Sequence, residues 1–275
     1  MITANGRTFI KNYLAGQAGS VAGSIAVGIG AAAATLNDSK LQFEFARCPV
    51  DTIAYDFTTD SIIYKGSLDE TIGGKIYEVA LYSDDVNATD LSSIMITSFD
   101  SDDEDWDTGT WDSSVSRIGN DSLKHTPAAS ATSASVLGGL LVNFEDYSSS
   151  DVFTLAFNVD NANCASIAVR FRTDSANYYE YVISNPSVSY QFVTFAKGAF
   201  TVTGTPDWGD INEIEIRTTA KAAGSASVEF EGLRLEDVDG PSPTYGLLAR
   251  FVPSVPVLKT EGFVQDIEYA LAVNI

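Results

Sequence analysis

The residues in this sequence best suited to chemistry begin with Phe99-Asp100-Ser101-Asp102-Asp103-Glu104-Asp105-Trp106, where five carboxylates fall between positions 100 and 105 and an indole closes the run. Carboxylates this dense are hard oxygen donors, and Asp100, Asp102, Asp103 and Asp105 form a candidate set for calcium, the single cofactor the sequence suggests. The spacing is not that of an EF-hand loop, because no Gly-then-Glu register follows, and the competing reading is a solvated acidic loop. Trp106 and Trp111 beside these acids make a second pattern, since a ring face can stack on a pyranose while carboxylates take its hydroxyls. Tyr178 and Tyr190, on later strand-like stretches, complete the candidate glycan-binding set; packing against a core is the alternative for all four.

Other constellations are thinner. His125 is the single histidine, which excludes a His-based metal site and leaves a catalytic triad one candidate base. Glu229 and Glu231 alternate on a strand and so face one side as surface groups, whereas glycoside hydrolysis needs two carboxylates converging in a cleft. No catalytic residue is assigned, and the chain is read as non-enzymatic. Gly28-x-Gly30 lacks the third glycine and the following acidic residue of a dinucleotide fingerprint, so these glycines are read as loop positions accepting positive φ. Cys48 and Cys164 have neither disulfide-framework nor metal-ligand spacing and are expected as small buried hydrophobes.

Composition narrows the partners. Lys and Arg total 16 against 37 Asp and Glu, a net charge of −21, which argues against nucleic acid because phosphate binding needs a basic stripe. Such acidity fits calcium binding, a saline medium, or plain solubility. The chain is 45% hydrophobic, enough for buried cores. The start is polar, without a basic n-region and apolar core, and the glycine-broken stretch Val21 to Ala34 is too short to span a bilayer, so a soluble protein without membrane insertion is expected.

The elements that must position these residues are mostly strands. Phe9, Ile10, Tyr13 and Leu14 mark one face of a short helix, capped by Thr3 or Asn5 and ended by Gly16. Strand-like alternation follows at 25–30, 41–45, 51–57, 61–68 and 75–82. Beyond a Ser/Ala-rich link, strands are expected at 136–144, 152–159, 165–173, 178–183, 190–196, 213–218 and 226–235, with Ile167, Val169 and Phe171 inward and Arg170 and Arg172 outward. After the Asp239-Gly240-Pro241-Ser242-Pro243 hinge, Ile267, Tyr269, Leu271, Val273 and Ile275 alternate to the last residue. The expected architecture is all-β: a discontinuous β-rich domain, 1–97 and 239–275, with one short N-terminal helix, and an inserted jelly-roll β-sandwich at 98–238.

The flanks carry Asn5-Gly6-Arg7-x-x-Ile10-Lys11, Ile25-Ala26-Val27-Gly28-x-Gly30, Leu41-x-x-Glu44-x-x-Arg47-x-x-Val50 and Ile76-x-Glu78-Val79-x-Leu81-Tyr82, in that order. They end in Pro256-x-x-Lys259-Thr260 and Asp266-Ile267-Glu268-Tyr269. Over roughly 3–82 and 247–275 this series resembles tailed-phage virion proteins of the tail, baseplate or minor structural type. The insert, through Asp207-Trp208-x-Asp210-Ile211-x-x-Ile214-x-Ile216 and Phe230-x-Gly232-Leu233-x-Leu235, is similar in outline to carbohydrate-binding-like jelly rolls. The resemblance implies a virion structural protein, anchored on capsid or tail through the flanks and projecting the jelly roll as a decoration, turret or fibre-like element. Its implied partners are copies of itself as a trimer, pentamer or hexamer, other virion proteins, and a host-surface glycan. The alternative is a glycan-binding receptor or adhesion module.

Overall fold

In the computed structural model, the structure describes residues 1–15, 22–83, 94–101, 104–237 and 246–272. The chain divides into two compact units, Met1–Asp90 with Gly240–Ile275, and Leu91–Asp239. The fold is mostly antiparallel β with one short N-terminal helix.

In chain order the first unit contributes helix α1 (Ala4–Leu14) and strands β1 (Ser24–Gly28), β2 (Glu44–Pro49), β3 (Thr52–Asp56), β4 (Ser61–Leu68), β5 (Gly74–Ile76) and β6 (Glu78–Tyr82). The second unit follows with β7 (Ile94–Thr97), β8 (Thr110–Asp112), β9 (Ser122–His125), β10 (Thr132–Val142), β11 (Val152–Val159), β12 (Cys164–Arg172), β13 (Tyr178–Ser184), β14 (Tyr190–Ala196), β15 (Thr201–Thr203), β16 (Ile211–Ala220) and β17 (Val228–Glu236). The chain then returns to the first unit with β18 (Leu247–Phe251), β19 (Val257–Lys259) and β20 (Gln265–Ala272).

The first unit holds a four-stranded sheet β18-β6-β1-β2, a three-stranded sheet β20-β4-β3 and the pair β19-β5. Ile267, Tyr269 and Leu271 are buried while their β20 neighbours Asp266, Glu268, Ala270 and Ala272 are exposed, as period-2 alternation demands of a strand with one wet face. Helix α1 starts at Thr3, whose side chain accepts from Gly6 N at 3.0 Å. Gly6 itself lies so close to β18 that a Cβ there would sit 2.1 Å from Leu248 O. The helix therefore seats on the sheet through Thr3 and Gly6, and Tyr13 and Leu14, on the apolar face the spacing marks, are exposed. Gly16 lies outside the described residues.

A buried carboxylate organises the loop between β1 and β2. Glu78, fully buried, accepts from Gly30 N and Phe43 N at 3.0 Å each and from Gln42 N at 3.1 Å, and pairs with buried Arg250. Gly28 and Gly30 are glycine because of this approach: a Cβ would lie 2.6 Å and 2.5 Å from Glu78 Oε1, respectively. Neither has positive φ, so the expected reason is replaced by close packing. Lys259 is a similar hub, its buried ammonium donating to the carbonyls of Ile72, Thr260 and Phe263.

The second unit is a β-sandwich of a five-stranded sheet, β10-β16-β12-β13-β15, and a larger sheet, β14-β11-β17-β9-β8, to which β7 adds by pairing with β17. Ile94–Thr97, given to the flank by the sequence reading, thus belongs to the sandwich. Ile167, Val169 and Phe171 point inward from β12 to meet Phe153, Phe195 and Phe200, with the Phe153 and Phe171 ring centroids 4.7 Å apart. Each such buried ring contributes about 1.5–3 kcal/mol relative to exposure. Trp208 closes this cluster, stacked on Tyr179 at 3.9 Å and 7°. Cys48 and Cys164 are buried free thiols, one in each unit.

Candidate functional site

The outer face of the five-stranded sheet gathers charged groups and a tyrosine, most of them half-buried, into two cross-strand rows. Register places Gly138, Glu213, Arg172, Tyr178 and Thr203 side by side, and Val136, Glu215, Arg170, Glu180 and Thr201 beside them. With strands about 4.8 Å apart, each row runs roughly 19 Å across the sheet. Strand alternation builds this face: the apolar odd positions of β12 turn into the core, which sends Arg170 and Arg172 outward.

The side chains hold one another in place. Arg170 donates Nε to Glu180 Oε1 at 2.6 Å and a terminal nitrogen to Glu215 Oε2 at 3.1 Å. Arg217 donates to Glu215 Oε1 at 3.2 Å, and Arg172 pairs with Glu213 Oε2 at 3.3 Å. Burial pulls the Arg170 pKa down, but the Glu180 and Glu215 carboxylates more than offset it and raise the result. The Arg170 guanidinium also lies 4.4 Å from the Tyr178 ring centroid, which fixes the ring. At the far end β10 loses register between Gly138 and Val142, with Gly139 at φ 74° and Leu141 at φ 47°. A Cβ on Gly138 or Gly139 would meet nothing within 4 Å. The face thus combines planar donors, carboxylate acceptors, one aromatic ring and an open glycine floor.

Of the residues expected to bind glycan, Tyr178 alone is on this face. Trp106 is 8% exposed, stacks on Phe99 at 5.0 Å and donates Nε1 to Glu104 Oε2 at 2.8 Å, so it caps the core. Trp111 is 38% exposed on β8, one edge of the larger sheet, and Tyr190 lies on β14 at the opposite edge. The Tyr190 ring face is taken by the Arg117 guanidinium at 3.5 Å. These rings do not form one platform.

Two acids of the run, Asp100 and Glu104, turn inward onto backbone N–H groups. Asp100 is 1% exposed and accepts from Asn120 N at 2.8 Å, with Gly119 pressed against its carboxyl. Glu104 accepts from Ser98 N at 2.8 Å, from Phe99 N at 3.2 Å and from the Thr97 hydroxyl. Asp105 is exposed, and Asp102 and Asp103 lie outside the described residues. Among the described residues no group of three or more His, Cys, Asp or Glu side chains is placed to hold a metal ion.

Glu229 and Glu231, expected on the surface, are buried at 1% and 0% exposure. Period-2 alternation puts both on the outer side of β17, but that side is covered by partners from distant segments. There Glu229 takes Lys124 Nζ at 2.7 Å and Asn158 Nδ2 at 2.8 Å, and Glu231 accepts from Arg117 N at 2.8 Å. Lys124 also donates to Asp112 at 2.7 Å, an ion pair that holds the Asp112 carboxyl well below the usual range. His125 is buried between Thr218 Oγ1 at 3.1 Å and Ser135 Oγ at 2.8 Å. It is a core group.

The fold is similar, at a distance, to that of carbohydrate-binding modules and of one phage tailspike domain. The family 11 carbohydrate-binding module of a cellulosomal cellulase of Clostridium thermocellum is 11% identical, over 55% of this chain and 90% of that one, with a TM-score of 0.37. A carbohydrate-binding module of the β-sandwich superfamily described as promiscuous in specificity is 10% identical, over 78% of this chain and 84% of that one, with a TM-score of 0.34. The enzymatically active domain of a tailspike protein of bacteriophage CBA120 is 18% identical, over 48% of this chain and 19% of that one, with a TM-score of 0.28. No protein-family model and no curated protein matches the sequence.

Proposed function

We propose that the second unit is a non-enzymatic glycan-binding module whose site is the outer face of its five-stranded sheet. The observation that carries this reading is the preorganised group Arg170, Tyr178, Glu180 and Glu215 beside the open ground at Gly138 and Gly139. Guanidinium donors and carboxylate acceptors fixed in a plane match the alternating hydroxyls of a sugar, and the Tyr178 ring face turned away from Arg170 is the one left for a pyranose to stack on. Because the side chains are already held by their ion pairs, little conformational entropy is lost on binding. The glycines let a ligand lie close to the backbone.

The first unit serves as the anchor. The resemblance of its motifs to tailed-phage virion proteins supports a place on a particle, at capsid or tail, from which the module meets a host-surface glycan. Several of those motif residues, Gly6, Gly28, Gly30, Glu78 and Lys259, are structural hubs of the unit. Many copies on one particle would convert weak single contacts into firm attachment.

A glycan array probed with the full chain, followed by calorimetry on each hit, tests the reading. Binding is expected to fall at least about ten-fold in Arg170→Ala and in Tyr178→Ala. Tyr178→Ala should leave the melting temperature little changed, whereas Arg170→Ala, which strips Glu180 and buried Glu215 of their shared partner, should also lower it. Absence of any glycan hit, or hits that both variants retain at full affinity, would overturn it.

A further inference from the structure

The first unit contains a groove of about 660 Å³ whose lining includes every residue from Gln265 to Ala272. Successive residues of a strand point to opposite faces, so a groove touched by all of them is bordered by the strand's main-chain edge. Among the described residues β20 pairs with β4 alone, which leaves that edge open. The walls are apolar, formed by Ile2, Ile76, Val79, Phe251 and Val257. The site has the make-up of one missing strand.

At the opposite edge of the same sheet, β3 also pairs with β4 alone. Its Ile53 and Tyr55 are 57% and 46% exposed, and Phe57 just beyond it is 89% exposed. Register shows which way they point: Ile53 stands beside Tyr64 and Tyr269, and Tyr55 beside Ile62 and Leu271. Ile53 and Tyr55 therefore lie on the core face of the sheet, at an edge where no core lies beneath them.

We propose that the groove receives β3 of a second copy of this chain, so that copies join head to tail. Both β3 and β20 run antiparallel to β4, hence parallel to each other. A rotation about an axis along the strands keeps that direction and the sheet's faces, and brings the neighbour's Ile53 and Tyr55 into the groove of β20. Charge agrees on the other face. Thr52, Lys65 and Glu268 form one cross-strand row, so continuing the sheet places each Glu268 between its own Lys65 and the neighbour's, across the small Thr52. Where its rotation closes, such a heterologous contact makes a ring, which removes both open edges. The inference does not depend on glycan binding.

The test uses the full chain and two exposed-site variants, Ile53→Asp to spoil the inserted strand and Val257→Lys to spoil the groove. Light scattering coupled to size exclusion should give a closed oligomer for the wild type and single chains for each variant. An equimolar mixture of the two variants should give dimers, because one retains an intact groove and the other an intact β3. A wild type that stays monomeric at high concentration would overturn the proposal. So would a dimer surviving in both variants, which would mark an isologous contact, or a mixture that remains monomeric.

Discussion

Arg250 donates Nε to Glu78 Oε2 at 2.8 Å in the interior of the first unit, joining residues 172 positions apart. Arg250 also reaches Asp38 Oδ2 at 2.8 Å and Ala32 O at 3.0 Å, so one guanidinium ties the closing segment to β6 and to the loop after β1. Glu78→Gln keeps the shape and removes the charge, leaving Arg250 buried without its main counter-ion. The expected loss is about 3–5 kcal/mol in denaturant unfolding. A loss under ~1 kcal/mol would mean the pair is dispensable.

The glycines of the first unit should separate from those of the sheet face. Gly28→Ala would place a Cβ 2.4 Å from Phe43 O, and Gly30→Ala one 2.4 Å from Gln42 Cβ, so each should cost about 1–3 kcal/mol. Thermal melts of the two variants measure it.

Gly138→Leu introduces a side chain where a Cβ meets nothing within 4 Å. Stability should hold within about 0.5 kcal/mol, while the bulk stands where the glycan is proposed to lie. Calorimetry should show weaker binding at an unchanged melting temperature.

Burial pushes the His125 pKa down to about 4 from its ordinary 6.5. Between those values the unfolded chain binds a proton that the folded chain does not, so stability falls as pH drops from about 6.5 to about 4 and levels off below. The contribution is up to about 3 kcal/mol. His125→Gln should remove that part of the slope, which unfolding curves of both proteins across this pH range will reveal.

Lys124→Met would strip buried Glu229 of its ammonium partner. A loss of about 3 kcal/mol at neutral pH is expected. Desolvation already raises the Glu229 pKa, and loss of Lys124 should raise it further. Protonation then relieves the buried charge, so the gap to wild type should narrow as pH falls; a gap independent of pH would contradict this account.

The legible part of this protein is what period-2 alternation can encode. The inward Ile167, Val169 and Phe171, the outward Arg170 and Arg172, and the half-buried strand at Ile267, Tyr269 and Leu271 could all be read locally. So could the Thr3 cap of the helix. The acidic run, by contrast, drew attention by composition, yet Asp100 and Glu104 spend their oxygens on nearby backbone N–H groups. Trp106 followed the same course, its ring going to the core beside Phe99.

By itself, then, the sequence determined the all-β class, the helix at the start and the faces of the main strands, because each depends on residues a few positions apart. Tertiary structure alone decided which strands stand side by side. Register across β16, β12 and β13 brings Glu215, Arg170 and Glu180 into one row, and Arg117, Lys124 and Asn158, distant in sequence, meet Glu229 and Glu231 and cover them. Long-range packing also made Gly28 and Gly30 obligatory, since the carboxylate that excludes a Cβ there belongs to Glu78. Alternation is a property of the local backbone, whereas register and close approach arise only when distant segments bury their apolar faces together.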